Sequence, residues 1–341
     1  MEPMEYNNDK KMNIDTAVTA ENNDDRLLEQ MIHETKEIKE LLHSFVAAMA
    51  TAIDQRTPYN GNHTRNVTKY AGEFADYLNV MHDQGKFDEC FDTNRKEQLI
   101  LAAGLHDIGK MIIPLSVMNK STRLGNELES ILQRYELITC YIRLDAAEGK
   151  ISKEECKEKC ADLKQSADFI EKVNQMAALT EETEEQIRIL SKHQYEKKNG
   201  EILHYLTEEE TDCLLVQKGT LTEEERKIME SHVAMTSKIL SNIHWNTQYS
   251  NVPIWAGAHH EFLDGSGYPN HLTEEEMPLE VRILSLADIY DALIAADRPY
   301  KSPMPIEEAL QILKSMAEDG KLDKTLVAFY ADFISRCQSE N

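Results

Sequence analysis

Five histidines and two aspartates stand out as residues whose types and spacing could do chemistry. They are the adjacent pair His106-Asp107, the adjacent pair His259-His260, and the single residues His63, His232 and Asp288. An adjacent His-Asp offers one nitrogen and up to two oxygens, and its aspartate can bridge two ions. Such a pair is weak evidence alone in a chain with 12 histidines. Here it ends the apolar segment LILAAGLHDIGK. A charged pair buried there is costly unless neutralised, whereas an exposed helix end would leave it bland. His63 in NGNHTRNV and His232 in EERKIMESHVAM each read alone as a capping or surface residue. The short apolar run VRILSLAD would bury Asp288, and a buried carboxylate needs a partner or a metal. Taken together, the set is rich in nitrogen and oxygen donors and has no thiolate. It exceeds one tetrahedral zinc and suits two octahedral ions sharing a bridge. Paired ions about 3.5–4 Å apart clamp a phosphate and generate hydroxide for in-line displacement at phosphorus.

The elements that must position these residues read as helices. Leu28, Met31, Ile32, Ile38, Leu41, Leu42, Phe45, Val46, Met49 and Ile53 recur at spacings of three and four, which predicts a long amphipathic helix from Asp25. Its outer half is free to pack on a second copy of the chain. HTRNVTKYAGEFADYLNVM and RKEQLILAAGLHDIGKMII fit the same period, and strand-like alternation is scarce. The expected class is all-α: a helical bundle with an N-terminal amphipathic helix and a helical insertion. Residues 1–24 are polar and aperiodic and are expected to be a flexible tail. The bundle would then run over 25–121 and 219–341, interrupted by the Glu- and Lys-rich segment 122–218. In that segment SKEE reads as a capping-box start, and Gly149 and Gly200 as helix stops. LTEEETD and LTEEERK read as two similar helix starts, and His193 and His204 as surface residues.

Bulk composition narrows the function classes. A net charge of −24 argues against binding nucleic acid polymers or anionic membranes, which need a basic footprint. A phosphate substrate must therefore be drawn in by local cations. No apolar run approaches a membrane span, and the N-terminus lacks a signal-peptide core. Six scattered cysteines without a CxxC pair predict reduced thiols in a cytoplasmic protein.

HDIGK (106–110), HHEFLDGSGYP (259–269), LADIYDAL and DRPYK together resemble the HD-GYP family, cyclic di-GMP phosphodiesterases of the HD phosphohydrolase superfamily. The resemblance covers about residues 45–121 and 219–335. It implies one metal held by His63, His106, Asp107 and Asp288. Asp107 would bridge to a second, held also by His232, His259 and His260. Iron is the metal it favours, then manganese. It places Lys110 beside the scissile phosphate and Arg298 and Lys301 on the substrate phosphates. Gly265, Gly267, Tyr268 and Pro269 would shape the adjoining loop, with Asp264 bracing it and relaying a proton. The implied activity is hydrolysis of cyclic di-GMP to linear pGpG, and in some relatives on to GMP, by a metal-bound hydroxide. Glu261 reads as a supporting or exposed acid.

The chain departs from the family pattern at Tyr59, where some members carry a glutamate that helps hold a third metal. Tyrosine is a poor ligand near neutrality, so two metals are expected, and a stop at pGpG with them. The segment 122–218 is a second departure, able to cap the cleft, form a dimer interface or receive a regulator. DALIAADRPYK is one residue longer than the usual family loop. Two other readings stay open: the same chemistry on another cyclic dinucleotide or nucleotide, and a non-hydrolysing nucleotide receptor or adaptor for a diguanylate cyclase.

Overall fold

The computed structural model describes residues 9–56, 61–295 and 304–339. Tyr59, Arg298 and Lys301 lie outside those residues. Before the insertion come α1 (Asp9–Asp54), α2 (His63–Asp83), α3 (Thr93–Leu105), a 3-10 turn (Ile108–Ile112) and α4 (Leu115–Met118). The insertion holds α5 (Glu127–Ala147), α6 (Lys153–Asn174), α7 (Glu181–Leu190), a hairpin of β1 (Gln194–Glu196) and β2 (Ile202–His204), and α8 (Glu208–Leu214). After it come α9 (Glu223–Leu240), a second 3-10 turn (Thr247–Tyr249), α10 (Val252–Ala256), α11 (Leu279–Ile294), α12 (Ile306–Glu318) and α13 (Lys324–Ser339). The fold is all-α apart from that hairpin.

The bundle and the insertion bury separate apolar cores. Phe74, Leu78, Leu99, Leu101, Leu284 and Tyr330 belong to the first, and Ile131, Ile138, Leu163, Ile170, Ile187 and Leu214 to the second. α11 is apolar on nearly every side, so it runs through the middle of the bundle: Val281, Ile283, Leu284, Ser285 and Ala287 are fully buried. That burial carries Asp288 inside with them.

Three expectations are corrected. The stretch 9–24, expected as a flexible tail, continues α1. It contains no glycine or proline, so the helix nucleated where α1 packs can propagate outward through it. The helix expected across 181–200 ends at Leu190, and Asn199-Gly200 turns the hairpin instead of stopping a helix. Gly200, at φ 82, supplies the left-handed residue of a three-residue hairpin loop, and its N donates to Lys197 O at 2.9 Å. Tyr195 holds this hairpin by stacking on Tyr141 and donating to Asp145. Ser152 accepts from Glu155 N and so caps α6, but among the described residues the reciprocal bond of a full capping box appears at the LTEEE phrases, on Thr207 with Glu210 and Thr222 with Glu225.

The insertion leaves and rejoins the bundle at one place. Thr220 Oγ1 donates to Lys120 O at 2.9 Å, and Lys120 Nζ lies 2.7 Å from the Glu225 carboxylate. Arg123, only 1% exposed, plugs this neck. Its guanidinium donates to the carbonyls of Val216, Val173 and Met176. Cys90, Cys140, Cys156, Cys160 and Cys213 are free thiols, and Cys156 and Cys160 pack against the insertion core.

Candidate metal centre

The end of α3 delivers His106 and Asp107 to the interior, where they are 0% and 2% exposed. An exposed helix end is thereby excluded. The 3-10 turn that follows lies directly on α9. A Cβ at Gly109 would stand 1.9 Å from His232 O, so only glycine allows this approach. Thr236, one turn along α9 from His232, clasps the contact. Its hydroxyl donates to His106 O at 2.8 Å and accepts from Gly109 N at 3.0 Å.

Around Asp107 the structure brings together all seven residues singled out from the sequence. Their donor atoms fall into overlapping groups: His63, His106 and Asp288; His106, Asp107 and His259; His232, His259 and His260. The two oxygens of Asp107 face different histidines. Oδ2 lies 3.3 Å from His106 Nε2 and 3.6 Å from His63 Nε2. Oδ1 lies 3.4 Å from His232 Nε2 and 3.8 Å from His259 Nε2. Asp288 Oδ1 closes the first side, 3.1 Å from His63 Nε2.

Three of the histidines share one local device. The Nδ1 atoms of His106, His232 and His259 each lie 2.7 Å from the carbonyl three residues earlier, on Ala103, Met229 and Ala256. A carbonyl only accepts, so Nδ1 carries the proton and each Nε2 lone pair points into the site. Those three Nε2 atoms and Asp107 Oδ1 are buried without hydrogen-bond partners. Four convergent orphaned acceptors are costly in a protein interior unless a cation satisfies them. The residues present therefore fit a pair of divalent cations.

His63 is oriented differently. Its Nδ1 lies 2.7 Å from Asp291 Oδ2, and Asn66 Nδ2 donates to the other Asp291 oxygen at 2.9 Å. A carboxylate behind a ligating imidazole fixes its tautomer and raises its basicity. Burial opposes a charged His63, but hydrogen bonds to Asp288 and Asp291 outweigh it and hold its pKa up at about 10. On the other side burial dominates. It pushes His232 down to about 4 and lowers His259 and His260 as well. Burial also opposes charge on Asp107, but the Lys110 ammonium offsets it and keeps the carboxylate ionised. Lys110 Nζ lies 2.6 Å from Asp107 Oδ2, and this contact likewise overcomes burial to keep the ammonium charged.

The loop after His260 approaches its own start. A Cβ on Gly267 would meet Glu261 Cα at 2.5 Å and Phe262 N at 2.4 Å. Glu261 is fully buried and accepts from Asn270 N and Leu272 N at 2.7 and 3.0 Å, so it braces the loop from beneath. Tyr268 stacks on His260 with ring centres 4.9 Å apart, and Pro269 follows it, half-buried. Gly265 turns the chain at φ 73. Asp264 is exposed, and its Oδ1 accepts from Ser266 N and Oγ inside the turn. None of these bonds leads to the histidine cluster. His193 and His204 lie on the surface of the insertion.

Asp291, Thr236 and Ser285, whose hydroxyl donates to His259 O at 2.7 Å, were not singled out from the sequence. The available signal was spacing. Asp291 and Ser285 lie three residues from Asp288, and Thr236 four from His232, one helical turn in each case.

Two HD domain profiles match residues 60–216 and 210–326, together spanning both halves of the bundle and the insertion between them. The chain belongs to the HD-domain family. Its unbroken HHEFLDGSGYP run is the segment that resembles the HD-GYP type of HD domain. Among curated relatives, a cyclic di-GMP phosphodiesterase of Thermotoga maritima is 42% identical over 117 residues, 33% of this chain and 29% of that protein. A 3'3'-cGAMP-specific phosphodiesterase of Vibrio cholerae is 40% identical over 104 residues, 30% of this chain and 22% of that one. A cyclic di-GMP phosphodiesterase response regulator of Xanthomonas campestris is 35% identical over 158 residues, 45% of this chain and 39% of the relative. The matches thus span well under half the length of each of these relatives.

Proposed function

We propose that this HD domain is a metal-dependent phosphodiesterase that hydrolyses cyclic di-GMP to linear pGpG. The observation that carries the proposal is the division of labour on Asp107: one oxygen turned to His63 and His106, the other to His232 and His259. His63, His106, Asp107 and Asp288 would hold one cation, and Asp107, His232, His259 and His260 the other. Imidazole and carboxylate donors suit iron, manganese, zinc, nickel or cobalt, and the HD-GYP resemblance favours iron, then manganese. When bound, the paired ions supply Lewis acidity, neutralising phosphate charge and lowering the pKa of water.

The chain's own groups do the rest. Lys110, kept charged by Asp107, supplies a buried ammonium for the charge that develops on the phosphate oxygens. Asp291 and the three main-chain carbonyls aim the imidazoles, so no reorientation is needed during reaction. Tyr268 stacks on His260 and so ties the GYP loop to the site. Arg298 and Lys301 are proposed to grip the substrate phosphates, as a planar fork and a point charge. Asp264 is retained as a loop former, because its Oδ1 serves the turn.

Similarity to a 3'3'-cGAMP-specific enzyme supports a second substrate within the same class. Initial rates on cyclic di-GMP and 3'3'-cGAMP, with chromatographic separation of products, test both. A kcat/KM for cyclic di-GMP at least tenfold above that for 3'3'-cGAMP, with pGpG accumulating, is expected. The reverse ranking would transfer the assignment to the mixed dinucleotide.

A homodimer through α1 is proposed alongside. Met31, Ile38 and Phe45 are spaced by seven and are 57–67% exposed, with Leu41 between them 70% exposed. Val46 and Ile53, on another face of α1, are buried in the chain's own core. The heptad spacing of the exposed stripe suits a second copy of the same helix. Among the described residues no helix is long and apolar enough to cross a membrane.

A further inference from the structure

The end of α1 reaches the Lys110 turn from outside the metal centre. Arg56 Nη1 donates to Lys110 O at 2.7 Å and Nη2 to Ile113 O at 3.0 Å. Lys110 O already accepts from Ile113 N at 3.2 Å; Arg56 adds a second donor to it and reaches Ile113 O at the exit of the turn, where helical carbonyls lack partners within the turn. Two residues earlier, Asp54 accepts from Thr64 Oγ1 at 2.7 Å and Thr64 N at 3.3 Å, at the start of α2 beside His63. One end of one helix therefore holds both the turn that carries Lys110 and the helix that carries His63.

The chemistry of the clamp is specific. A guanidinium is planar and spans two carbonyls with separate N–H groups, whereas an ammonium is a single point. Lys110 itself is long and rotatable, so its reach depends on where its backbone is held. Gly109 fixes that backbone against α9 on one side, through Thr236. Arg56 fixes it on the other.

We infer that Arg56 is a positioning residue for Lys110. By holding the Lys110 and Ile113 carbonyls it sets the origin from which the ammonium meets the phosphate. The inference rests on the phosphodiesterase reading, since it assigns Lys110 a part in that reaction. Arg56 contributes no metal ligand and touches no reacting atom.

A double-mutant cycle tests it. Wild type, Arg56→Ala, Lys110→Ala and the double variant are assayed on cyclic dinucleotides, with bound metal per chain and melting temperature recorded for each. Arg56→Lys is carried through the same cycle, and replaces Arg56→Ala should the latter not fold. Displacing a catalytic group by about 1 Å costs roughly a hundredfold, so Arg56→Ala is expected to lower kcat about ten- to a hundredfold. KM should change less than about twofold, and the metal content should match wild type. Arg56→Lys should recover little of the loss. Combined with Lys110→Ala, Arg56→Ala should add almost nothing, because the group it positions is gone. An undiminished kcat in Arg56→Ala, a loss repeated in full in the Lys110→Ala background, or metal lost in step with rate would each overturn the inference. A wild type that turns over no cyclic dinucleotide would remove the phosphodiesterase reading, and the positioning role with it.

Discussion

His63 keeps its proton where burial lowers His232, His259 and His260, because Asp288 and Asp291 stand on either side of it. At neutral pH the metal-free His63 is therefore an imidazolium, and a metal must displace its proton, whereas His232 already offers a lone pair. Adding Mn(II) to metal-free protein in weak buffer should release a proton from wild type and none from the His63 position in His63→Ala. The linkage to stability has a definite sign. The folded pKa of about 10 exceeds the ordinary 6.5, so the charged His63 stabilises the metal-free fold fully below about pH 6.5. That contribution is lost as pH rises through about 10. Metal-free wild type should therefore lose melting temperature over this window by more than His63→Ala does. Removing the brace behind His63 by Asp291→Ala should weaken metal affinity about 10–100-fold. Unchanged affinity in a metal titration would deny Asp291 that role. At this scale the donors were legible because histidines and a buried aspartate have few other uses together. Asp291, Thr236 and Arg56 were not, because their types are common. Only helical spacing marked the first two, and nothing local marked Arg56, which acts on residues 54 and 57 positions away.

Helices and their ends account for the positions of the donors. α3 stops at the histidine, α9 offers His232 from its buried face, and α11 runs through the core with Asp288 on it. These were readable from apolar periodicity. The hairpin in the insertion was not, because its strands are three residues each and Asn199-Gly200 also reads as a helix stop. The extent of α1 was hidden by a polar composition that allows a helix without requiring one. The neck of the insertion could not be read either, since Arg123 satisfies carbonyls up to 93 residues away. Arg123→Ala would take the donor from the Val216 and Met176 carbonyls, at a cost of about 1–3 kcal/mol each where water cannot reach them, while Val173 O keeps Met176 N. Thermal unfolding should show the loss, with kcat/KM within about twofold of wild type. A variant as stable as wild type would mean that the neck does not depend on Arg123. Charging the outer stripe of α1 with Ile38→Glu and Phe45→Glu should yield monomers by sedimentation. A wild type that already sediments as a monomer would dismiss the α1 interface.

The whole molecule carries −24 while its proposed substrate is a dianion. Long-range approach is repulsive, and in the proposed reaction a metal pair, Lys110, Arg298 and Lys301 would reverse the field locally. The Debye length falls from about 30 Å to about 8 Å between 0.01 and 0.15 M salt, so moderate salt should remove the repulsion and raise kcat/KM. A fall with salt would mean that the local cations dominate the approach as well. The measurement that most directly tests a paired-metal centre built on Asp107 is the rate of cyclic di-GMP hydrolysis by protein prepared anaerobically and loaded with Fe(II) or Mn(II), wild type beside Asp107→Ala. The expected result is pGpG from wild type and a loss of at least about a thousandfold in the variant, because both cations lose a ligand at once. Wild type that binds metal and leaves cyclic di-GMP and 3'3'-cGAMP intact would contradict it, as would an Asp107→Ala protein that hydrolyses either at the wild-type rate.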